Sequence, residues 1–140
     1  MPNAPKKIWR NHQKWFIWSL AASFFFIEYM AKVAPATMEP QLMHDFAINA
    51  QQYGLLSAFF YYAYVAMQLP VGTLFDRFQP VLLMGLMVLL CATGCYLFAA
   101  THNLLFAQIA RLITGVGGAF AFIGSIKLIT IWFPAHYLGM

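Results

Sequence analysis

The chain has 140 residues, of which 62% are hydrophobic and only 9% charged. Globular domains carry about 25% charged residues, so a water-facing surface cannot be built from this composition, and lipid must solvate most of the fold. The formal net charge of +4 is not a nucleic-acid footprint, because four of the eight basic residues, Lys6, Lys7, Arg10 and Lys14, precede or open the first apolar run. What remains is an all-α polytopic membrane protein with the lipid bilayer as its partner and no nucleic acid.

In chain order, residues 1–13 form a basic tail, and residues 14–37 are the first predicted span, long enough for a bilayer that needs ~20 residues. The basic start and Ala34-Pro35-Ala36 also suit a cleaved leader. Glu28 and Lys32 argue against it, because they interrupt what would have to be an uncharged segment. Residues 38–52 carry Glu39, Pro40, His44 and Asp45 and read as an external loop with room for a short helix. Asn49 with Gln52 three residues on is a helix-start signature, a side-chain oxygen offered to the first free amides. The second span is predicted over 53–75, followed by a turn at 76–80 holding Asp76 and Arg77. A third span over 81–100, a tight turn at 101–103, a fourth span over 104–133 and a short end at 134–140 complete the chain.

Orientation follows from the basic residues. The tail and the first residue of the span after it hold four Lys/Arg, whereas 38–52 and 101–103 hold none. Lys and Arg accumulate on the cytoplasmic side, which puts the N-terminus, the Asp76-Arg77 turn and the C-terminal end in the cytoplasm. Trp9, Trp15, Trp18 and Trp132 agree, since indole rings favour the headgroup level.

Three charges fall within spans, Glu28, Lys32 and Arg111, and each is costly in hydrocarbon. Glu28 lies about 13 residues from the inner end of its span, roughly 20 Å in; Arg111 lies seven residues from the outer end of an oppositely running span, roughly 10 Å in. In a core ~30 Å thick those depths coincide, so the two side chains are expected to meet, with Lys32 one turn from Glu28 on the same face. A purely structural ion cluster is one reading. Against it, two cations and one anion leave surplus positive charge, which a bound anion such as a substrate carboxylate would satisfy. In the second span Ser57, Tyr61, Tyr64 and Gln68 fall on one helical face and suit either interhelical hydrogen bonding or a watery pathway.

In the fourth span Gly117, Ala121 and Ser125 repeat every four residues beside Gly115 and Gly118, a pattern that lets backbones approach closely. Lys127, near the inner end, is expected to snorkel to the headgroups. Cys91 and Cys95 share a face, and the simplest reading is two small apolar residues in a buried helix. The four histidines, at 12, 44, 102 and 136, flank the spans without metal-ligand spacing. Nucleophile, base and orienter do not combine at any recognisable spacing, and nothing calls for a cofactor or metal. An enzyme is therefore not expected.

Gln68-x-Pro70-x-Gly72-x-x-x-Asp76-Arg77 resembles the cytoplasmic loop between the second and third helices of the major facilitator superfamily. Arg111-x-x-x-Gly115-x-Gly117-Gly118 is similar to that superfamily's fourth-helix motif, and Trp132-Phe133-Pro134 followed by Gly139-Met140 to the loop before its fifth helix. The resemblance covers the chain from about residue 15 onward. It implies a secondary transporter working by alternating access, with the four spans forming part of an N-terminal six-helix half and the chain an N-terminal fragment of it. Each such half is an inverted pair of three-helix repeats.

The resemblance also implies that the first and fourth helices line the central cavity and that Gly72, Asp76 and Arg77 belong to a cytoplasmic gate. The Glu/Lys-bearing first helix most resembles the organic-anion branch. The expected function is secondary active transport of a small organic solute across a bacterial inner membrane, in its most specific form an anion moved by symport with a proton, completed by the remainder of the transporter. Where family members continue the loop motif with Gly and basic residues, Gln79-Pro80-Val81 stand here, which bears on the gate. The alternative is a small four-helix membrane protein acting as an assembly partner.

Overall fold

A computed structural model describes residues 11–132, which form helices α1 (Asn11–Thr37), α2 (Glu39–Asp45), α3 (Ala50–Arg77), α4 (Pro80–Ala100) and α5 (Leu104–Trp132). The basic residues of the tail before Asn11, Trp9, and the Phe133-Pro134 and Gly139-Met140 motif residues lie outside the described part. Four of the helices are long and apolar enough to cross a membrane. Their ends follow local chemistry. Asn49 caps α3 by accepting from the Gln52 amide at 2.9 Å while Gln52 Oε1 accepts from the Asn49 amide at 3.1 Å, the reciprocal box the sequence signals. Gln79 leaves the helical region, and Pro80 starts α4, where its missing N–H costs nothing. The expected external loop contains α2, and α3 is longer than the predicted span at both ends, so the Asp76-Arg77 pair is still helical.

The first loop is built tightly. After α2, Ala47 takes a left-handed conformation (φ 50°), its amide bonding the His44 carbonyl and the Ile48 amide bonding that of Met43. This closes the last turn of a short helix and buries Ile48 with Leu42, Tyr53, Leu56 and Ala107.

Helix α5 is the hub. It packs extensively on α3 and α4 and more narrowly on α1, whereas α3 barely touches α4 and α1 meets α4 only marginally. Buried residues make up 56% of its membrane window, against 17–22% for the other three. The small-residue stripe explains how one helix accommodates three neighbours. A Cβ on Gly115 would overlap the Phe60 carbonyl of α3, one on Gly117 would press on the Cys91 and Met87 backbone of α4, and Gly118 lies against Glu28 of α1. Ala121 and Phe120 are fully buried between them. The remaining surface is apolar: Leu69, Val65, Phe26 and Phe16 are exposed, as a lipid-facing surface requires.

Two contacts fix the register of α1 against α5. Ser125 Oγ donates to the Ala21 carbonyl at 3.3 Å, and Glu28 packs on Gly118 seven residues away on both helices. Carried one further step of seven, Arg111 is level with Pro35. The expectation that Glu28 and Arg111 share one depth is therefore corrected: their backbones lie about 10 Å apart along the helix axes. The cause is α2. The Leu104 end of α5 reaches past α1 to pack beside Leu42, so depths counted from the ends of the two helices do not start at the same plane.

Candidate functional site

Between α1, α3 and α5 the structure gathers most of the polar residues singled out by the sequence. Glu28 is 3% exposed, and its Oε1 is buried with no hydrogen-bond partner. Lys32, one turn outward, is half-buried and holds its ammonium 4.8 Å from the Tyr64 ring centre and 5.4 Å from that of Tyr61. The two tyrosines sit three apart on α3 and make an aromatic seat for the cation, electrostatically favourable without neutralising it. Ser57 and Gln68 lie on the same face, half-buried and without hydrogen bonds, one above the tyrosines and one below. Tyr62 points away and is exposed.

Arg111 is 4% exposed and pairs with no carboxylate. Its guanidinium lies 4.7 Å from the Phe60 ring centre and 5.9 Å from that of Phe98, and its Nη1 donates to the Ala31 carbonyl at 3.0 Å. Nε is buried without a partner. The expected Glu28–Arg111 pair is thus replaced by a backbone anchor. Ion pairs among the described residues are confined to His44–Asp45 and Lys127–Asp76, so both interior cations lack a direct counter-charge.

Sequence reasoning missed Phe60, Phe98, Ala31 and Tyr53. The hydroxyl of Tyr53 donates to the Pro35 carbonyl at 2.9 Å and ties the outer end of α1 to the start of α3. The signal for Ala31 was present: a proline inside a helix leaves the carbonyl four residues earlier without its usual partner.

Lys127, expected to snorkel to the headgroups, has a protein partner in the structure. Its ammonium donates to Asp76 at 2.8 Å, linking α5 to the end of α3. Gly72 faces open space, and Arg77 is exposed. Groups of three or more residues that could hold a metal do not occur among the described residues. Cys91 and Cys95 are free thiols within the α4–α5 packing.

The sequence that folds this way has counterparts in known proteins. Residues 17–140 match the Major Facilitator Superfamily. The chain belongs to that superfamily. Among major facilitator relatives, it is 29% identical over 130 residues to "Uncharacterized transporter YybO" of Bacillus subtilis (strain 168), covering 93% of this chain and 30% of the relative. It is 26% identical over 115 residues to "Probable sulfoacetate transporter SauU" of Cupriavidus necator, covering 82% and 27%. To "Nitrate/nitrite transporter NrtP" of Picosynechococcus it is 24% identical over 128 residues, covering 91% and 22%. The chain therefore spans less than a third of the length of these curated relatives. No solved structure matches it.

Proposed function

We propose that this four-helix unit is the first part of a secondary transporter that moves a small organic anion by alternating access. Glu28, Lys32, Ser57, Tyr61, Tyr64, Gln68 and Arg111 would line the solute or proton pathway. The observation that carries the reading is the pair of interior cations without counter-ions: Lys32 on its tyrosines and Arg111 on a backbone carbonyl. Two cations against the single carboxyl of Glu28 leave surplus positive charge at membrane depth, and an anionic solute entering between α1, α3 and α5 offsets its cost. Relatives named as sulfoacetate and nitrate/nitrite transporters support an anion.

Glu28 is the candidate for proton coupling, a buried carboxyl beside Lys32 whose Oε1 has no donor. Gly72, Asp76 and Arg77 would form the cytoplasmic gate, with the exposed Arg77 meeting the opposite half and Asp76 exchanging Lys127 for a partner there. The N-terminus is proposed to lie in the cytoplasm of a bacterial cell, with the spans in the inner membrane. Reporter fusions after Asp45 and after Asn103 then read outside, and fusions after Phe78 and after Met140 inside. An inside reading at Asn103 would break this topology.

The function is tested in proteoliposomes with a full-length protein that contains this segment. Uptake of labelled small carboxylates and sulfonates should be saturable and driven by a proton gradient. Lys32→Gln and Arg111→Gln should each abolish it while leaving the protein folded. Glu28→Gln should uncouple uptake from the gradient. Uptake of neutral solutes in preference to anions would overturn the reading.

A further inference from the structure

Proline 35 sits inside α1 and is buried. Having no N–H, it cannot donate to the carbonyl four residues back, that of Ala31, and its ring pushes that carbonyl off the helix axis. An orphaned carbonyl at membrane depth must find another donor. It finds Arg111 Nη1 from α5, at 3.0 Å. The same proline offers its own carbonyl to Tyr53 of α3 at 2.9 Å, so the break in α1 is gripped from both sides.

For Arg111 the consequence is orientation. Phe60 and Phe98 flank the guanidinium with their ring centres 4.7 and 5.9 Å from its carbon, contacts that leave the direction of its N–H groups free. The bond to Ala31 removes that freedom. With Nη1 engaged and Nε buried, the Nη2 side is what an incoming anion can meet.

We propose that Pro35 is a positioning residue for Arg111: by withholding an amide hydrogen it supplies the Ala31 acceptor that fixes the direction in which the guanidinium meets an anion. The transport side of this rests on the anion reading given above, whereas the link between Pro35 and Arg111 does not.

The 140-residue chain itself tests the link, isotope-labelled and reconstituted in lipid nanodiscs. It holds three arginines, Arg10, Arg77 and Arg111, so the Arg111 side-chain signals are assigned by their loss in Arg111→Lys. In the parent chain the two Nη groups give separate signals, because the Ala31 bond and the aromatic stack slow rotation. In Pro35→Ala they merge, and in Pro70→Ala they stay separate. A folded Pro35→Ala chain with parent-like Arg111 signals overturns the proposal. If Pro35→Ala does not fold, Arg111→Lys reads the same bond from its other end. The Ala31 carbonyl carbon signal then moves upfield, and an unmoved signal overturns the proposal as surely.

In a full-length protein, Pro35→Ala raises the KM for the anion about tenfold, the equivalent of ~1.4 kcal/mol, with little change in maximal rate. In an Arg111→Lys background it adds nothing. An equal effect in both backgrounds makes Pro35 a general bend and sinks the positioning role. Transport indifferent to Arg111→Lys, with the nanodisc result intact, removes the anion reading and leaves the Pro35–Arg111 link standing.

Discussion

Arg111 on α5 donates a 3.0 Å hydrogen bond to the carbonyl of Ala31 on α1, the carbonyl that Pro35 deprives of its helical partner. A buried cation is thus held by a neutral backbone dipole instead of a carboxylate. Its charge stays available, which an ion pair with Glu28 would not allow.

That arrangement makes folding and function separable at this position. Replacing Arg111 with Met removes a desolvated charge, often neutral or favourable for folding. It also strands the Ala31 carbonyl, at a cost of ~1–3 kcal/mol. The two effects largely offset, so Arg111→Met is expected to leave the thermal unfolding midpoint of the reconstituted chain within a few degrees of the parent. Full-length protein carrying it should show no anion uptake. A chain that cannot be extracted in folded form would show that Arg111 is needed for assembly.

The glycines of α5 and α3 rank by what stands opposite them. Gly115 faces the Phe60 backbone carbonyl, which cannot swing aside, whereas Gly118 faces the flexible Glu28 side chain and Gly72 faces open space. Gly115→Ala is expected to cost more than the ~1–3 kcal/mol typical of overpacking, and Gly118→Ala about 1 kcal/mol. Gly72→Ala should be close to neutral. Denaturant titration of the reconstituted chain gives the order, and Gly115→Ala milder than Gly118→Ala would contradict the packing described.

Ala47 supplies a stabilising substitution. Its φ of 50° is costly for an L-residue and free for glycine. Ala47→Gly is expected to stabilise the outer loop by about 1 kcal/mol, less the extra entropy of a glycine in the unfolded chain. Slower amide exchange at Ile48, whose N–H closes this turn on Met43, is the direct measurement.

Asp76 and Lys127 form a partly exposed pair, with 67% and 39% of their side chains accessible. A double-mutant cycle with Asp76→Asn and Lys127→Gln is expected to give a coupling of ~0.2–1 kcal/mol, smaller still at high salt. A coupling of several kcal/mol would mean that the pair is desolvated in the working protein.

The spans and their turns were legible because their signals are local: long apolar runs, Asn49 with Gln52, and Pro80 at a helix start. That Glu28 and Lys32 share a face of α1, and Tyr61 and Tyr64 a face of α3, also followed from spacing, since i, i+3 and i, i+4 positions share a face on any helix; that the two faces meet did not. What failed was register between helices. The depth of Arg111 relative to Glu28 depends on α2 lengthening the outer end, and only contacts such as Ser125 to Ala21 reveal it. The partner of Lys127 was not legible for a related reason, because Asp76 is 51 residues away and no periodicity connects them.

The hub position of α5 bears on how the protein comes to exist at all. Helices emerge from the ribosome in order, so α1, α3 and α4 enter the bilayer before the helix on which all three pack. Until then they are joined by little more than their loops, the Tyr53–Pro35 bond and the seat of Lys32 on Tyr61 and Tyr64. For that interval the nascent chain is a loose set of spans, with Glu28, which packs on Gly118, open to lipid or to an insertion chaperone. The moment of greatest exposure to quality control therefore falls between synthesis of Ala100 and docking of the glycine face of α5.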